Sequence, residues 1–361
     1  MWTLLLSACA ARADRGFDSD LVDRVNSGPP PEPHAVLVKA AGDTDPNPRA
    51  RALVLLAAVD AKDPQWVARG LYDPDEWVTG AMVRALDARG ATESLVAYSQ
   101  RHEADANVRA DALRAAGDLA PIAGLCAEAS GYGQHALCLV AAERGDVIAH
   151  ARLAHDLGER VPFDLEFLAD LGRSGLVDLA PALAHVDADE ELRLPWAAAR
   201  AGLGDESAFG VLVRGLRDAD EGTRLIALDA AIELPDAVAS RALKKADGHG
   251  SPLLRHYAAL GLALHGHGAD AFERAVRSGD PEVRRLALRL AAGLDGPRAE
   301  RVIADLAQRG LGDDDPEVRT LALALANDRG VVLDGKTVAG LLLDDYVDVR
   351  VEAAGYVLAH P

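Results

Sequence analysis

The pentapeptide Asp-Pro-Glu-Val-Arg occurs at 280–284 and returns at 315–319, 35 positions later. Weaker copies continue the series. With Arg319 as the reference, the matching residues are Arg350, Arg284, Arg255, Arg224, Arg193, Arg109 and Arg49, and Thr79 fills the same slot without the charge. Neighbouring copies lie 29–35 residues apart where the series is unbroken. The 84 residues between Arg109 and Arg193 leave room for two degenerate copies, around 134–142 and 164–172. A fixed period of this size predicts roughly eleven stacked supersecondary units, because a unit so small cannot bury its apolar face alone.

Each unit reads as two helices. In the second, Val318, Leu321, Ala322 and Leu325 share one helical face, and Val283, Leu286, Ala287 and Leu290 repeat it. Asp315 and Asp280 suit the N-cap, Pro316 and Pro281 suit the first helical position, and the following Glu favours the positive end of the helix dipole. The first helix of a unit is legible in Phe209, Leu212, Val213 and Leu216, and glycines such as Gly310 and Gly312 punctuate the pairs. Hydrophobic residues make up 49% of the chain but aromatics only 4%, so the core is built from Ala, Leu and Val, which suits closely packed helices. The predicted fold is all-α, a right-handed α-α superhelix over residues 35–361. Residues 1–34 precede it as a leader, a short helix and a Pro-rich tether.

The pattern Asp-x-x-Val-Arg-x-x-Ala, recurring over most of residues 35–360, resembles HEAT-like repeats of the short type found in phycobilin lyases. The resemblance implies that second helices line a concave face and that the recurrent arginine pairs with an aspartate of the same or a neighbouring unit. That role would fall to Arg109, Arg193, Arg224, Arg255, Arg284, Arg319 and Arg350. Thr79 and the stretch 120–190 depart from the pattern.

Fold does not decide activity, so chemistry has to be sought residue by residue. The formal charge of −19 argues against nucleic acid, whose phosphates require a basic groove. Deoxyhypusine hydroxylases of similar architecture hold two irons with repeated His-Glu pairs. This chain has one such pair, His102-Glu103, which cannot supply that site. His265 and His267 flank Gly266 and are the remaining metal candidates, set against a plain helix-end turn. There is no Gly-rich phosphate loop, Ser-His-Asp signature or Cys-x-x-Cys pair. No cofactor is expected. Trp196 aligns with Ala322 and reads as a core plug, whereas Trp77 aligns with Glu317 in an outward column, where an exposed Trp would anchor a partner.

Cys126 and Cys138 flank the turn at 130–133, which permits either a disulfide or two buried thiols. At the amino terminus, Leu6-Ser7-Ala8-Cys9 resembles a bacterial lipobox, with an apolar run before it and the Pro-rich stretch 28–34 after it as a tether. The run lacks a preceding Lys or Arg, which a start upstream of Met1 would supply. Cys9 is then the lipidated residue and the protein belongs to the cell envelope. The alternative is a frayed terminus on a cytoplasmic protein. The sequence contains no 18-residue apolar segment. Together these features predict a non-catalytic scaffold that binds another protein, tethered by lipid. The rivals are a HEAT-like enzyme of lyase or metal-dependent type, and a nucleic-acid-binding HEAT-like protein.

Overall fold

The computed structural model describes residues 31–360, apart from 61–62, 102–103, 118–123, 125, 127–132, 159–164, 184–191, 247, 249 and 269. Every regular element among the described residues is helical. In chain order, α1 (Pro33–Ala40) precedes α2 (Pro46–Val59), α3 (Pro64–Leu71) precedes α4 (Glu76–Ala88), and α5 (Thr92–Ser99) precedes α6 (Ala106–Ala116). Then come α7 (Gly133–Glu143), α8 (Val147–Gly158) with α9 (Leu165–Arg173), and α10 (Ala180–Leu183) with α11 (Arg193–Gly202). The series continues with α12 (Glu206–Gly215) and α13 (Glu221–Ile232), then α14 (Asp236–Ala246) and α15 (Pro252–Leu264). It ends with α16 (Asp270–Ala275) and α17 (Pro281–Ala291), α18 (Pro297–Gly310) and α19 (Pro316–Arg329), and α20 (Gly335–Leu341) and α21 (Val347–Ala359).

Local chemistry starts these helices as the sequence predicts. The carboxylates of Asp45, Asp75, Asp105, Asp220, Asp280 and Asp315 each accept a backbone N–H from the first turn of the helix that follows. Proline opens α2, α15, α17 and α19, where its missing N–H costs nothing. The same device operates earlier than expected at the tether. Glu32 caps α1 by accepting from His34 and Ala35, with Pro33 at the first position, so residues 33 and 34 are helical.

The helices form two compact units, one from described residues of 99–268 and one from 31–98 together with 269–360. In the first, α6 packs on α7, α9 on α11, α11 on α13 and α13 on α15. A core of Cys138, Leu153, Leu157, Phe167, Leu168, Leu171 and Trp196 fills the stretch where the repeat is most degenerate. The helices α9 and α11 approach very closely: a Cβ on Gly202 would lie 2.3 Å from the Gly172 carbonyl oxygen.

In the second unit, second helices stack in the order α17, α19, α21, α2, α4. The last helix of the chain therefore packs on the first two described, α1 and α2. An array whose repeats touch only their sequence neighbours has no such contact. The seam is specific. Arg51 on α2 grips Glu352 on α21, Nε to Oε1 at 2.5 Å and Nη2 to Oε2 at 3.0 Å, and Nη2 lies 3.1 Å from Asp328. Asn327 donates to the same carboxylate at 2.8 Å. Glu352 is only 1% exposed, and Gly355 sits so close to Leu55 that a Cβ there would clash.

The buried stripe of α19 also differs from the predicted one. Val318, Ala322 and Leu325 are buried, but Leu321 is half-exposed and Leu323 is buried in its place. A second helix is covered by its own first helix and by stacked neighbours, which widens and rotates the apolar arc. Leu323→Ala is expected to cost about 2–5 kcal/mol in urea melts, with Leu321→Ala clearly milder.

Arg51→Met leaves Glu352 buried without its cation, and such losses reach about 3–5 kcal/mol. Because Arg51 is partly exposed, a cost on the order of 3 kcal/mol is expected. Hydrogen exchange should show residues 46–59 and 347–359 losing protection together. Loss confined to one of the two helices would contradict the seam.

Candidate functional site

The recurrent arginine works with both edges of its guanidinium. Nη1 folds back onto the carbonyls of its own inter-helix turn: Arg49 onto Asp43 at 2.8 Å, Arg319 onto Asp313 at 2.8 Å, Arg284 onto Ser278 at 2.9 Å and Arg255 onto Gly250 at 2.8 Å. Arg224 and Arg350 do the same with residues 218–219 and 344–345. The opposite edge takes a carboxylate from the next unit. Arg49 holds Asp73 with both bonds at 3.0 Å, Arg284 holds Asp313 with both at 2.7 Å, and Arg319 holds Asp344 at 2.9 and 3.0 Å. Each of these aspartates also accepts the backbone N–H two residues on, which aims it at the fork. Burial pushes the Asp313 carboxyl up, but the bonds from Arg284 and the Asp315 N–H outweigh it and hold the group below the usual range. Its contribution to stability is therefore complete above the ordinary carboxylate pKa and disappears as pH falls through the lowered folded value.

The other predicted residues scatter. Arg109 is buried and gives its Nε to the Ser99 carbonyl at 3.1 Å. Arg193 is exposed at the start of α11. Arg350 forms no ion pair among the described residues, so the ladder stops at the seam. Trp77 is half-buried with the Arg84 guanidinium 5.5 Å from its ring, and Trp196 is buried with Nε1 3.4 Å from the Leu183 carbonyl. His265 has Nδ1 2.8 Å from Asp236 and Nε2 3.1 Å from the Ile232 carbonyl. A carbonyl only accepts, so Nε2 carries hydrogen and is not a free ligand. His267 faces the Lys244 ammonium at 3.5 Å. The two histidines are thus directed to different partners, and no group of three His, Cys, Asp or Glu among the described residues could hold a metal. Cys126 and Cys138 are joined, with Cα atoms 4.5 Å apart. Cys9 and the His102-Glu103 pair lie outside the described residues. No described helix is long and apolar enough to cross a membrane.

A second polar set, not anticipated from the sequence, laces the second helices of the 99–268 unit. Arg114 on α6 lies 3.3 Å from Glu143 on α7 and reaches past it to Asp170 on α9 at 2.5 Å. Arg173 binds Asp170 at 2.6 Å and passes the close-set α11 to pair with Glu233 after α13. Burial raises the Glu143 carboxyl, and Arg114 opposes that rise without cancelling it. Further along, the Tyr257 hydroxyl of α15 donates to Asp229 of α13. Burial pushes the Asp229 carboxyl up to about 6; the tyrosine bond pulls it down, and the charge of Glu233 adds to the rise. Arg114, Asp229 and Arg289, whose guanidinium pairs with Glu317, each stand five residues after a column arginine, and that second column is the signal that could have exposed them.

No protein-family model matches this chain, and no curated protein matches it either. The reading of the site rests on the residues themselves.

Asp229 and Asp313 have opposite pH signatures. A carboxyl whose folded pKa is raised contributes stability that is complete below its unfolded value and is lost as pH rises through the folded one. Asp229→Asn should thus be more stable than the parent at pH 7, on the order of 2 kcal/mol, with the difference shrinking toward pH 4. Urea melts across that range check it. Asp313→Asn should instead be less stable at pH 7 by about 1–3 kcal/mol.

Proposed function

We propose that the chain is a HEAT-like repeat scaffold without catalytic activity, which binds another protein along its stacked second helices. The observation that carries this reading is the use made of the polar side chains on those helices. Arginines and carboxylates of successive units hold one another, Arg284 with Asp313, Arg319 with Asp344 and Arg114 with Glu143, so their chemistry is spent on keeping units in register. What such a face offers to solvent is an extended surface of fixed shape, the usual basis of partner recognition by repeat proteins.

A place in the cell envelope, with Cys9 carrying lipid, is part of the same proposal. The Cys126–Cys138 bond supports it, because disulfides persist in oxidising compartments and are rare in the cytosol. Mass spectrometry of the native protein should find an acylated Cys9 as the first residue and no free thiol at 126 or 138. An unmodified Met1 with two free thiols would return the protein to the cytosol.

One observation favours the enzyme reading. Asp229, with its raised pKa and the Tyr257 hydroxyl against it, has the character of an acid–base group. A pull-down from native membranes and cytosol separates the readings. The scaffold requires a partner protein retained equally by the parent and by Asp229→Asn. Failure to retain any partner from either fraction would end the scaffold reading.

A further inference from the structure

We propose that Val147, Ile148 and Val177 form a docking surface for a short aliphatic segment of a partner protein, flanked in that partner by lysine or arginine. The inference rests on the scaffold reading and gives the partner a chemistry. Val147 and Ile148 open α8 and are 77% and 78% exposed. Val177, at the head of the 3-10 turn Val177–Leu179 that leads into α10, is 60% exposed. The helices α8 and α10 pack together, and His150 Nε2 on α8 lies 3.0 Å from Asp178 Oδ2. Val147 stands three residues before His150, on the same face of α8, and Val177 adjoins Asp178. That contact therefore gathers the aliphatic side chains at the starts of two neighbouring helices.

Neither the helix start nor the core needs these side chains. Asp146 begins α8 by accepting the backbone N–H groups of Ile148 and Ala149, which any residue at 148 would supply. The core is met from the other side of the helix, by Ala149, Leu153 and Leu157. Branched aliphatic residues are poor helix formers, and a first turn gains more from acidic ones. After the equivalent cap aspartates, Asp205 and Asp334, stand Glu206-Ser207 and Gly335-Lys336. An aliphatic cluster on an edge where other repeats carry polar or small residues is left over from the fold and serves an interface.

Charge and area narrow the occupant. Asp178 is 68% exposed at the rim, and Asp146 stands beside Val147. The arginines closest in sequence are turned to other acceptors: Arg144 to the Leu113 carbonyl, Arg152 to the Cys126 carbonyl, and Arg173 to Asp170 and Glu233. The rim is therefore negative, and it favours a basic flank and repels an acidic one. Three aliphatic side chains expose at most a few hundred Å², against roughly 800 Å² per partner in a standard interface. The patch thus seats a short segment better than the broad face of a second copy. Leu4, Leu5 and Leu6 of this chain are aliphatic too, but no Lys or Arg stands among residues 1–11 to meet the rim.

The probe is a fluorescently labelled peptide with three leucines between two pairs of lysines, titrated into the full chain at low salt. One control replaces the lysines by glutamates and a second replaces the leucines by serines. The lysine–leucine probe should bind saturably and at least about tenfold more tightly than either control. Ile148→Lys and Val177→Ser, both at exposed side chains, should each lose about tenfold in affinity with an unchanged helical spectrum and Tm. Asp178→Asn should weaken the probe at low salt, an effect that fades at high salt. Absence of saturable binding, equal binding of either control, or full affinity in Ile148→Lys would overturn the docking surface. An occupant of another kind would overturn it as well: a dimer in sedimentation equilibrium that Ile148→Lys dissolves, adhesion to lipid vesicles that the same substitution abolishes, or binding of a peptide of residues 1–8 as tight as that of the probe. A native partner retained equally by the parent and by the Ile148→Lys, Val177→Ser double variant would sink the surface and leave the scaffold. If no partner is found, the scaffold falls and the probe titration still decides the surface.

Discussion

A guanidinium that holds its own turn with one edge and the next turn's aspartate with the other fixes two relations at once. It sets the conformation of the inter-helix turn and the offset between neighbouring repeats. Arg284 and Asp313 are 16% and 12% exposed, and Arg319 and Asp344 14% and 8%, so these pairs escape much of the screening that weakens surface ion pairs. Their geometry is bidentate and their remaining hydrogen-bonding capacity is used by backbone groups, which is what makes a half-buried pair tolerable. In a chain of net charge −19, crowded with aspartates at its turns, the same contact also neutralises carboxylates that would otherwise repel one another from repeat to repeat.

The ends of a repeat array present a different difficulty. A terminal repeat exposes the apolar face that an interior repeat hides against its neighbour, and most arrays cover it with a polar capping helix. Here α2 and α21 cover one another. The buried Glu352 could not sit in that interface alone, and Arg51 and Asn327 supply its partners from both sides of the seam. Loss of any one leaves a buried charge or donor unmet. Stability in this unit is therefore shared between residues at opposite ends of the chain, where a plain nearest-neighbour array would localise it.

The two units use the column differently. In the unit that holds the seam, the rungs at Arg49, Arg284 and Arg319 are complete, because the next turn carries Asp73, Asp313 or Asp344. In the 99–268 unit the turn aspartate is often replaced, and the helices are tied by the lace from Arg114 through Asp170 and Arg173 to Glu233. That lace depends on the close approach at Gly172 and Gly202, which lets one side chain pass an intervening helix. Departures from the repeat pattern thus mark the places where a different brace took over.

The sequence by itself determined the period, the helix pairs, the caps and the column, because each is set by residues within a few positions of one another. Asp315 caps its helix and Pro316 opens it wherever that segment is placed. The pairing of Arg284 with Asp313 was expected as a class, although the slot of the aspartate became plain only from the geometry. The exchange of Leu321 for Leu323 in the core was hidden, since it depends on how many neighbours cover the helix. Only the tertiary structure decided that α21 meets α1 and α2, and that Arg114 and Asp170 join past α7. Arg51 and Glu352 are 301 positions apart, and their meeting depends on which helices pack together. No residue near either of them encodes that pairing, so no motif in the sequence could announce it.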